Sequence, residues 1–460
     1  MNVYLQSLGC RLNQGEIETM ARQFAAAGHV VVGDPAQADV CVVNTCAVTA
    51  EAERKSRHRV RALARANTAA RIAVVGCYAT LSPEQTRRLP GVAWVVPNAE
   101  KERTAEIVTV HSPSPPCNGG VGERSRTRAF VKVQDGCDNH CTYCIVRLLR
   151  GSARSRSLTG VVAEVQALVE TGCQEAVLTG VNLGSYGRDL GLPRGLRTLV
   201  KALLTGTDLP RLRLSSLEPW DLDETFFELW ENPRLCRQLH LPLQAGCDET
   251  LRRMGRRITV AKFAHLVEAA RATVPDLAVT TDVIAGFPGE TEAAFRASYD
   301  FVAAIEFARL HVFPYSPRPG TAAARLPDQV ARDVRRARAC AMRELGAEQA
   351  SRFHQRFVGR EMAVLWEQRR RDGLWTGLTD NYLRVITHAE GDLHNRLTAT
   401  RLLTTQNGYL VGKLVDWETG HRFTNLPMYQ STNLPIWRKN YVSEKSNDPR
   451  PGHHHDRHKP

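Results

Sequence analysis

Gly136-Cys137-Asp138-Asn139-His140-Cys141-Thr142-Tyr143-Cys144 sets three cysteines at C-x3-C-x2-C spacing directly after a strand-like run at residues 129–133. In a βα barrel the loops that follow the strands share the catalytic mouth. Outward from this nonapeptide, strand-like runs recur at 176–179, 212–215, 239–243, 279–284 and 308–313. Helical patterns intervene at 159–170, 259–272 and 292–304. Strands alternating with helices imply a parallel sheet. Six such units predict an open, partial TIM-like barrel across residues 123–355.

Upstream lies a second α/β segment, residues 1–112. Strands are expected at 3–8, 40–44 and 72–76. Helices are expected at 13–27 and 51–66, and a short one opened by Ser82-Pro83. The pattern predicts an open parallel α/β domain. A Pro/Gly/Ser-rich stretch at 111–123 reads as a linker. Downstream, short β segments at 361–366, 374–379, 382–387, 397–404 and 409–414 predict a small antiparallel β-barrel over 356–418. The tail, 419–460, is rich in Asn, Pro, His and Ser and is expected to be disordered; its His453–His455 run reads as solvated.

Cysteine thiolates hold iron–sulfur clusters, and three ligands on a four-iron cubane leave one iron open for chemistry. Zinc is the competing reading, with His140 completing a Cys3His set, although that histidine lies inside the loop at an awkward spacing. Cys10, Cys46 and Cys77 each follow the end of a predicted strand. Carboxyl ends of parallel strands share one edge, so these distant cysteines are expected to meet. The other six (Cys41, Cys117, Cys173, Cys236, Cys247, Cys340) are scattered and read as buried small apolar residues.

The 460 residues carry a formal charge of +13, from 61 Lys and Arg against 48 Asp and Glu, a balance that suits a polyanionic partner. With 43% hydrophobic and 24% charged residues and a mean hydropathy of -0.31, the chain reads as soluble and globular. No apolar run reaches the ~18 residues that a membrane span needs. No secretory leader is visible, and a cytoplasmic location is expected. Basic runs that could face RNA are Arg54, Lys55, Arg57, Arg59 and Arg61, then Arg147, Arg150, Arg154 and Arg156, and Arg369 to Arg371.

The cysteine loop, with an aromatic before its last cysteine, resembles the radical S-adenosylmethionine (SAM) superfamily. GCDNHCTYCIV (136–146), LTGVNLGSYG (178–187), LSSLEP (214–219), LHLPLQAG (239–246), DVIAGFPGET (282–291) and FPYSPRPGTAA (313–323) stand in the order found in methylthiotransferases. SLGCRLNQGE (7–16), ADVCVVNTCAVTAEAERKSR (38–57) and VVGCYA (74–79) resemble that family's own first domain. The last β segments are similar to a TRAM domain, an RNA-binding module. Two departures stand out: Val146-Arg147 where Ile-Pro is common, and Ala245-Gly246-Cys247 where Ser-Gly-Ser is common.

The resemblance implies SAM and two [4Fe–4S] clusters, one on Cys137, Cys141 and Cys144 and one on Cys10, Cys46 and Cys77. It implies a SAM pocket lined by Tyr143, Gly180, Asn182, Ser216, Glu218, Gln244 and Gly286, and no catalytic residue beyond the cluster ligands. One SAM would methylate a sulfur on the second cluster, and another would supply the 5′-deoxyadenosyl radical. The partners implied are a tRNA anticodon stem-loop, an electron donor protein and a sulfur source, with the chain a monomer. LGCRLNQGE most resembles the enzymes that act at C2 of N6-threonylcarbamoyladenosine. Isopentenyladenosine and a ribosomal-protein aspartate are the alternative substrates. A non-catalytic, metal-containing RNA-binding protein is the alternative of a different class.

Overall fold

The computed structural model describes residues 1–110 and 127–415; the expected linker at 111–123 and the expected tail with His453–His455 lie outside the described residues. In the first segment β1 (Asn2–Ser7), α1 (Arg11–Ala26), β2 (Val30–Val32), β3 (Val40–Thr45), α2 (Ala50–Ala66), β4 (Arg71–Gly76), α3 (Cys77–Leu81), α4 (Pro83–Arg87), β5 (Val92–Val96) and α5 (Thr104–Val110) follow one another. The sheet is parallel throughout, in the order β2-β1-β3-β4-β5. β3 is buried at every residue, as expected of a central strand covered on both faces. Thr49 caps α2 by accepting from the Ala52 N–H, and Ser56, Val60 and Leu63 form its buried stripe. Ser82 precedes α4, but its side chain makes no cap; the backbone carbonyl accepts from Thr86 instead.

The second segment runs β6 (Arg128–Lys132), β7 (Gln134–Asp135), α6 (Val146–Arg150), β8 (Arg154–Ser155), α7 (Leu158–Glu170), β9 (Glu175–Thr179), α8 (Gly195–Gly206), β10 (Arg211–Leu214), β11 (Gln238–His240), α9 (Asp248–Arg253), α10 (Val260–Thr273), β12 (Ala278–Ala285), α11 (Glu292–Ile305), β13 (Arg309–Pro314) and α12 (Arg332–Gln355). Two parallel three-stranded sheets, β10-β9-β6 and β11-β12-β13, are joined by the isolated bridges Leu212–Leu235 and Ser216–His240. Among the described residues β13 and β6 are not paired, so the barrel is open, as expected. The third unit departs from the expected strand-then-helix pattern: between β10 and β11 the chain makes a 3-10 run, Glu224–Glu231. Strand alternation sends Leu239, Leu241, Leu243, Val279 and Val283 outward, onto Phe263, Val267 and Val302 of the helices. The opposite face of β12 carries Thr280, Asp282 and Ile284.

β14 (Glu361–Arg369), β15 (Trp375–Thr379), β16 (Arg384–Thr387), β17 (Leu397–Gln406) and β18 (Tyr409–Leu414) close a barrel in the order β14-β15-β16-β18-β17. Four pairings are antiparallel and β16–β18 is parallel. A ring of five strands cannot alternate direction all the way round, so the antiparallel expectation fails at one seam. This barrel is bonded to the lumen strands. The buried Arg213, ion-paired to Glu175 at 2.7 Å, donates to the Asp380 carbonyl at 2.8 Å, and Arg211 donates to the Leu378 carbonyl at 2.9 Å. The Tyr382 hydroxyl accepts from Arg11 of α1 at 2.7 Å, while the Arg213 guanidinium lies 5.0 Å from its ring centre.

Candidate active site

The C-x3-C-x2-C loop joins β7 to α6 and is tied at several backbone points. Cys137 N–H donates to the Gly151 carbonyl, Thr142 N–H to the Met254 carbonyl, and Ala323 N–H to the Thr142 carbonyl. Gly136 has φ +68°, and a Cβ there would collide with the Ser152 carbonyl oxygen, so only glycine lets the loop leave β7 in this way. The Cys144 thiol is pushed up to about 12, first by burial and then by the charges of Cys141 and Cys137. The three thiols therefore lie within electrostatic reach of one another.

Cys10, Cys46 and Cys77, far apart in sequence, are also brought together. Cys46 and Cys77 follow β3 and β4 directly, while Cys10 stands three residues past β1, at the N-cap of α1. Gly9, at φ +107°, lies so close that a Cβ would stand 2.6 Å from Cys46 Cβ. Burial pushes the Cys46 thiol up to about 12, with Cys10 and Cys77 adding to the shift. Asn13 braces the group: its Nδ2 donates to the carbonyls of Leu8 and Thr45, and Cys10 Sγ donates to its Oδ1 at 3.6 Å.

A short helix joins the two triads. α6 begins two residues after Cys144, and its Leu149, together with Ile145 before it, packs against Cys77, Tyr78 and Ala79. Asn98 Nδ2 donates both to Cys77 Sγ at 3.6 Å and to the Leu149 carbonyl at 2.9 Å. Arg150 closes the helix. It was expected among the RNA contacts, but it is buried and bonds Glu16 Oε1, Asp135 Oδ1 and Asn13 Oδ1, each at 2.8 Å. Burial would raise the Glu16 carboxyl, but Lys101 and Arg150 outweigh it and hold that group far below the usual carboxylate range.

The remaining expected site residues fall into three groups. Tyr143 packs edge-on to Phe287, which packs edge-on to Tyr315, in an aromatic cluster at the strand ends. Gly180 faces Gln134, whose Oε1 accepts from the Asn182 N–H at 2.9 Å. Ser216 bridges to His240, and Glu218 pairs with Arg256 at 2.8 Å. Gln244, a non-glycine at φ +74°, lies four residues past β11 and bridges to Val283 of β12. At Gly286, φ +76°, the side chain of Arg335 fills the space beside its Cα. Of the basic residues, Arg54, Lys55, Arg147 and Arg154 are exposed, whereas Arg57 pairs with Glu53 and lies over the Tyr78 ring. Of the scattered cysteines Cys41, Cys173 and Cys236 are buried as expected, Cys247 is half-buried, Cys340 is exposed, and Cys117 lies outside the described residues.

Arg256 was not anticipated. Its side chain is fully buried, stacks 4.4 Å from the centre of the Trp220 ring, and lowers the Cys141 thiol against the larger effect of burial. In the run Arg252, Arg253, Arg256, Arg257 it reads as one more solvated charge. The available signal was its place in phase with the apolar Met254 and Ile258, two residues to either side, both buried.

Comparison with known proteins agrees with this geometry. Residues 2–97 match the Uncharacterized protein family UPF0004, and residues 131–302 match the Radical SAM superfamily. The fold resembles the radical S-adenosylmethionine methyltransferase TsrM from Kitasatospora setae, with a TM-score of 0.54 at 16% identity over 70% of this chain and 74% of that one. The threonylcarbamoyladenosine tRNA methylthiotransferase MtaB of Thermotoga maritima is 37% identical over 408 residues, 85% of this chain and 93% of its own. MtaB of Bacillus subtilis is 33% identical, covering 90% of this chain and 96% of the relative. The chain belongs to the radical SAM tRNA methylthiotransferases. The tRNA-2-methylthio-N(6)-dimethylallyladenosine synthase of Cereibacter sphaeroides is a further relative, 34% identical over 89% of this chain and 98% of its own.

A radical SAM methylthiotransferase is a transferase that uses SAM and a [4Fe–4S] cluster, and the site fits both. Among the described residues, the cysteine triads do not bring three ligand atoms within 4.8 Å of one another. Neither triad therefore has the compact shell of a single zinc ion. Asn139 Nδ2, Asn182 Oδ1, Ser215 Oγ and the Nε and Nη1 of Arg256 are buried without hydrogen-bond partners among the described residues. Such atoms suit a polar ligand. Among the described residues, no helix is long and apolar enough to cross a membrane.

Proposed function

We propose that this chain adds a methylthio group to C2 of N6-threonylcarbamoyladenosine beside the tRNA anticodon, in the cytoplasm, with a second [4Fe–4S] cluster on Cys10, Cys46 and Cys77. The observation that carries the two-cluster reading is α6, one turn and a half of helix running from Cys144 to a bed that contains Cys77. Two thiolate groups so joined suit a reaction in which sulfur from one centre meets a carbon activated at the other. The substrate is suggested by the printed names of the Thermotoga and Bacillus relatives.

SAM on a reduced cluster supplies the hydrogen abstraction that an aromatic C–H needs and that no side chain provides. This chain's residues bind and orient. Cys137, Cys141 and Cys144 would hold one cluster. Glu218 and Arg256 offer a carboxylate and a guanidinium to the zwitterionic end of SAM, and Tyr143 and Asn182 line the same strand ends with Gly180, Ser216 and Gln244. Exposed Arg54, Lys55, Arg147 and Arg154 are offered to tRNA phosphates. An electron donor protein and a sulfur source complete the reading, with the chain acting as a monomer.

The Cereibacter relative favours a second reading, in which the adenosine bears a dimethylallyl group. Nucleoside mass analysis of tRNA from cells lacking the gene separates the two. Loss of the 2-methylthio form of N6-threonylcarbamoyladenosine is expected. Its persistence at normal level, with loss of the dimethylallyl form, would establish the second reading instead.

A further inference from the structure

The lumen wall carries a side-chain group that the chemistry above does not use. His240 ends β11, Asp282 lies on β12, and His311 stands opposite Asp282 on β13. Alternation turns all three, with Thr280, to the lumen, because the intervening Leu239, Leu241, Val279 and Val283 are buried outward. Their ligand atoms all lie within 4.8 Å of one another, the one such trio among the described residues. His240 Nε2 stands 3.4 Å from Asp282 Oδ2, and His311 Nδ1 stands 3.3 Å from Asp282 Oδ1. Bonds of ~2.1 Å to a common ion separate neighbouring ligand atoms by about 3.0 to 3.4 Å, depending on geometry.

Thr280 makes the arrangement directional. Its hydroxyl donates to the Leu239 carbonyl at 3.4 Å and so has a lone pair to accept from His240 Nδ1–H, 2.9 Å away. With the proton on Nδ1, His240 Nε2 presents a lone pair toward a carboxylate oxygen. A cation between these two acceptors satisfies both, as does a second proton on the ring that turns it into an imidazolium donor. Holding a histidine by its second nitrogen is the usual way of orienting a metal-binding imidazole.

We propose that His240, Asp282 and His311 bind one divalent first-row transition-metal cation, with its remaining coordination positions open to the lumen. Two imidazoles and one carboxylate form a set of borderline hardness that suits manganese, iron or zinc and provides no thiolate. The site is independent of which adenosine is modified.

The test uses the full chain with its iron–sulfur centres reconstituted and oxidised, a state without an electron paramagnetic resonance signal, and Mn2+ as the probe. One Mn2+ per chain is expected to leave the free-ion signal. His311→Asn and Asp282→Asn should each weaken uptake about tenfold or more, while visible cluster absorbance stays unchanged. If the wild-type protein takes up no stoichiometric Mn2+, the trio is a pair of imidazolium–carboxylate contacts and the proposal falls. It falls equally if both variants bind like wild type. Should Asp282→Asn lose its clusters, His311→Asn decides, because that imidazole is 37% exposed and bears no load in the core.

Discussion

At the scale of single residues, Arg150 shows how a charge can be structural. It bonds Glu16, Asp135 and Asn13 where no water competes, and Lys101 reaches Glu16 from the other side at 2.6 Å. Arg150→Met would leave buried carboxylates short of a partner, and we expect a loss of about 3 kcal/mol in chemical denaturation. Glu16 and Asp135 are held below their ordinary values, where burial alone would have raised them. Below the carboxylate range, ~4, the unfolded chain therefore binds more protons than the folded one. Stability should hold near neutrality and fall as the pH drops through that range, with a shallower fall in Arg150→Met. Gly136 is the second such residue. Gly136→Ala should misplace the cysteine loop and cost about four irons per chain, with the circular dichroism of the rest preserved. In sequence, Arg150 and Arg256 look like their solvated neighbours Arg147 and Arg257. The difference lies in the tertiary partners: Glu16, 134 residues from Arg150, and the Trp220 ring, 36 residues from Arg256.

At the scale of elements, α6 is five residues long and amounts to a strut between the two cysteine triads. Leu149→Ala removes its main apolar contact with Tyr78 and Ala79; about 3 kcal/mol of stability should go, seen as a lower urea midpoint. Iron bound at the two triads should become unequally labile to a chelator. Most strands and the helices α1, α2, α7, α10 and α11 were legible because periods of 2 and 3.6 mark them wherever one face meets a core, as in α2 and β3, whereas α8 and the 24-residue α12 were not anticipated. β2, β5, α5 and the 3-10 run Glu224–Glu231 were not, because they are short and settle against neighbours rather than on their own propensity. The parallel β16–β18 seam was likewise hidden; it follows from closing five strands, a property of no single segment.

At the scale of the whole molecule, the meeting of Cys10, Cys46 and Cys77 was foreseeable from strand-end placement alone, whereas the His240, Asp282 and His311 row was not. Those three occupy ordinary strand positions, and only the lateral register aligns them. Cys46→Ala should lower iron from about eight to about four per chain while SAM cleavage continues; Cys141→Ala should abolish cleavage. Equal iron in wild type and Cys46→Ala would remove the second cluster from the reading. For tRNA, affinity should fall steeply with salt, and Arg147→Ala should reduce the slope of log K against log salt by about 0.7 to 0.9.

The guanidinium groups of Arg211 and Arg213 bear on what can be dissected. Their hydrogen-bond acceptors are carbonyls at 378–380, supplied by the last barrel, and Arg11 leans on Tyr382 of the same barrel from the opposite end of the chain. A gene fragment that stops at residue 355 would thus strip bonding partners from the interior of what remains. Deletion of the last barrel would report on misassembly rather than on any part of that barrel in tRNA recognition, and point substitutions on its outer surface are the cleaner instrument.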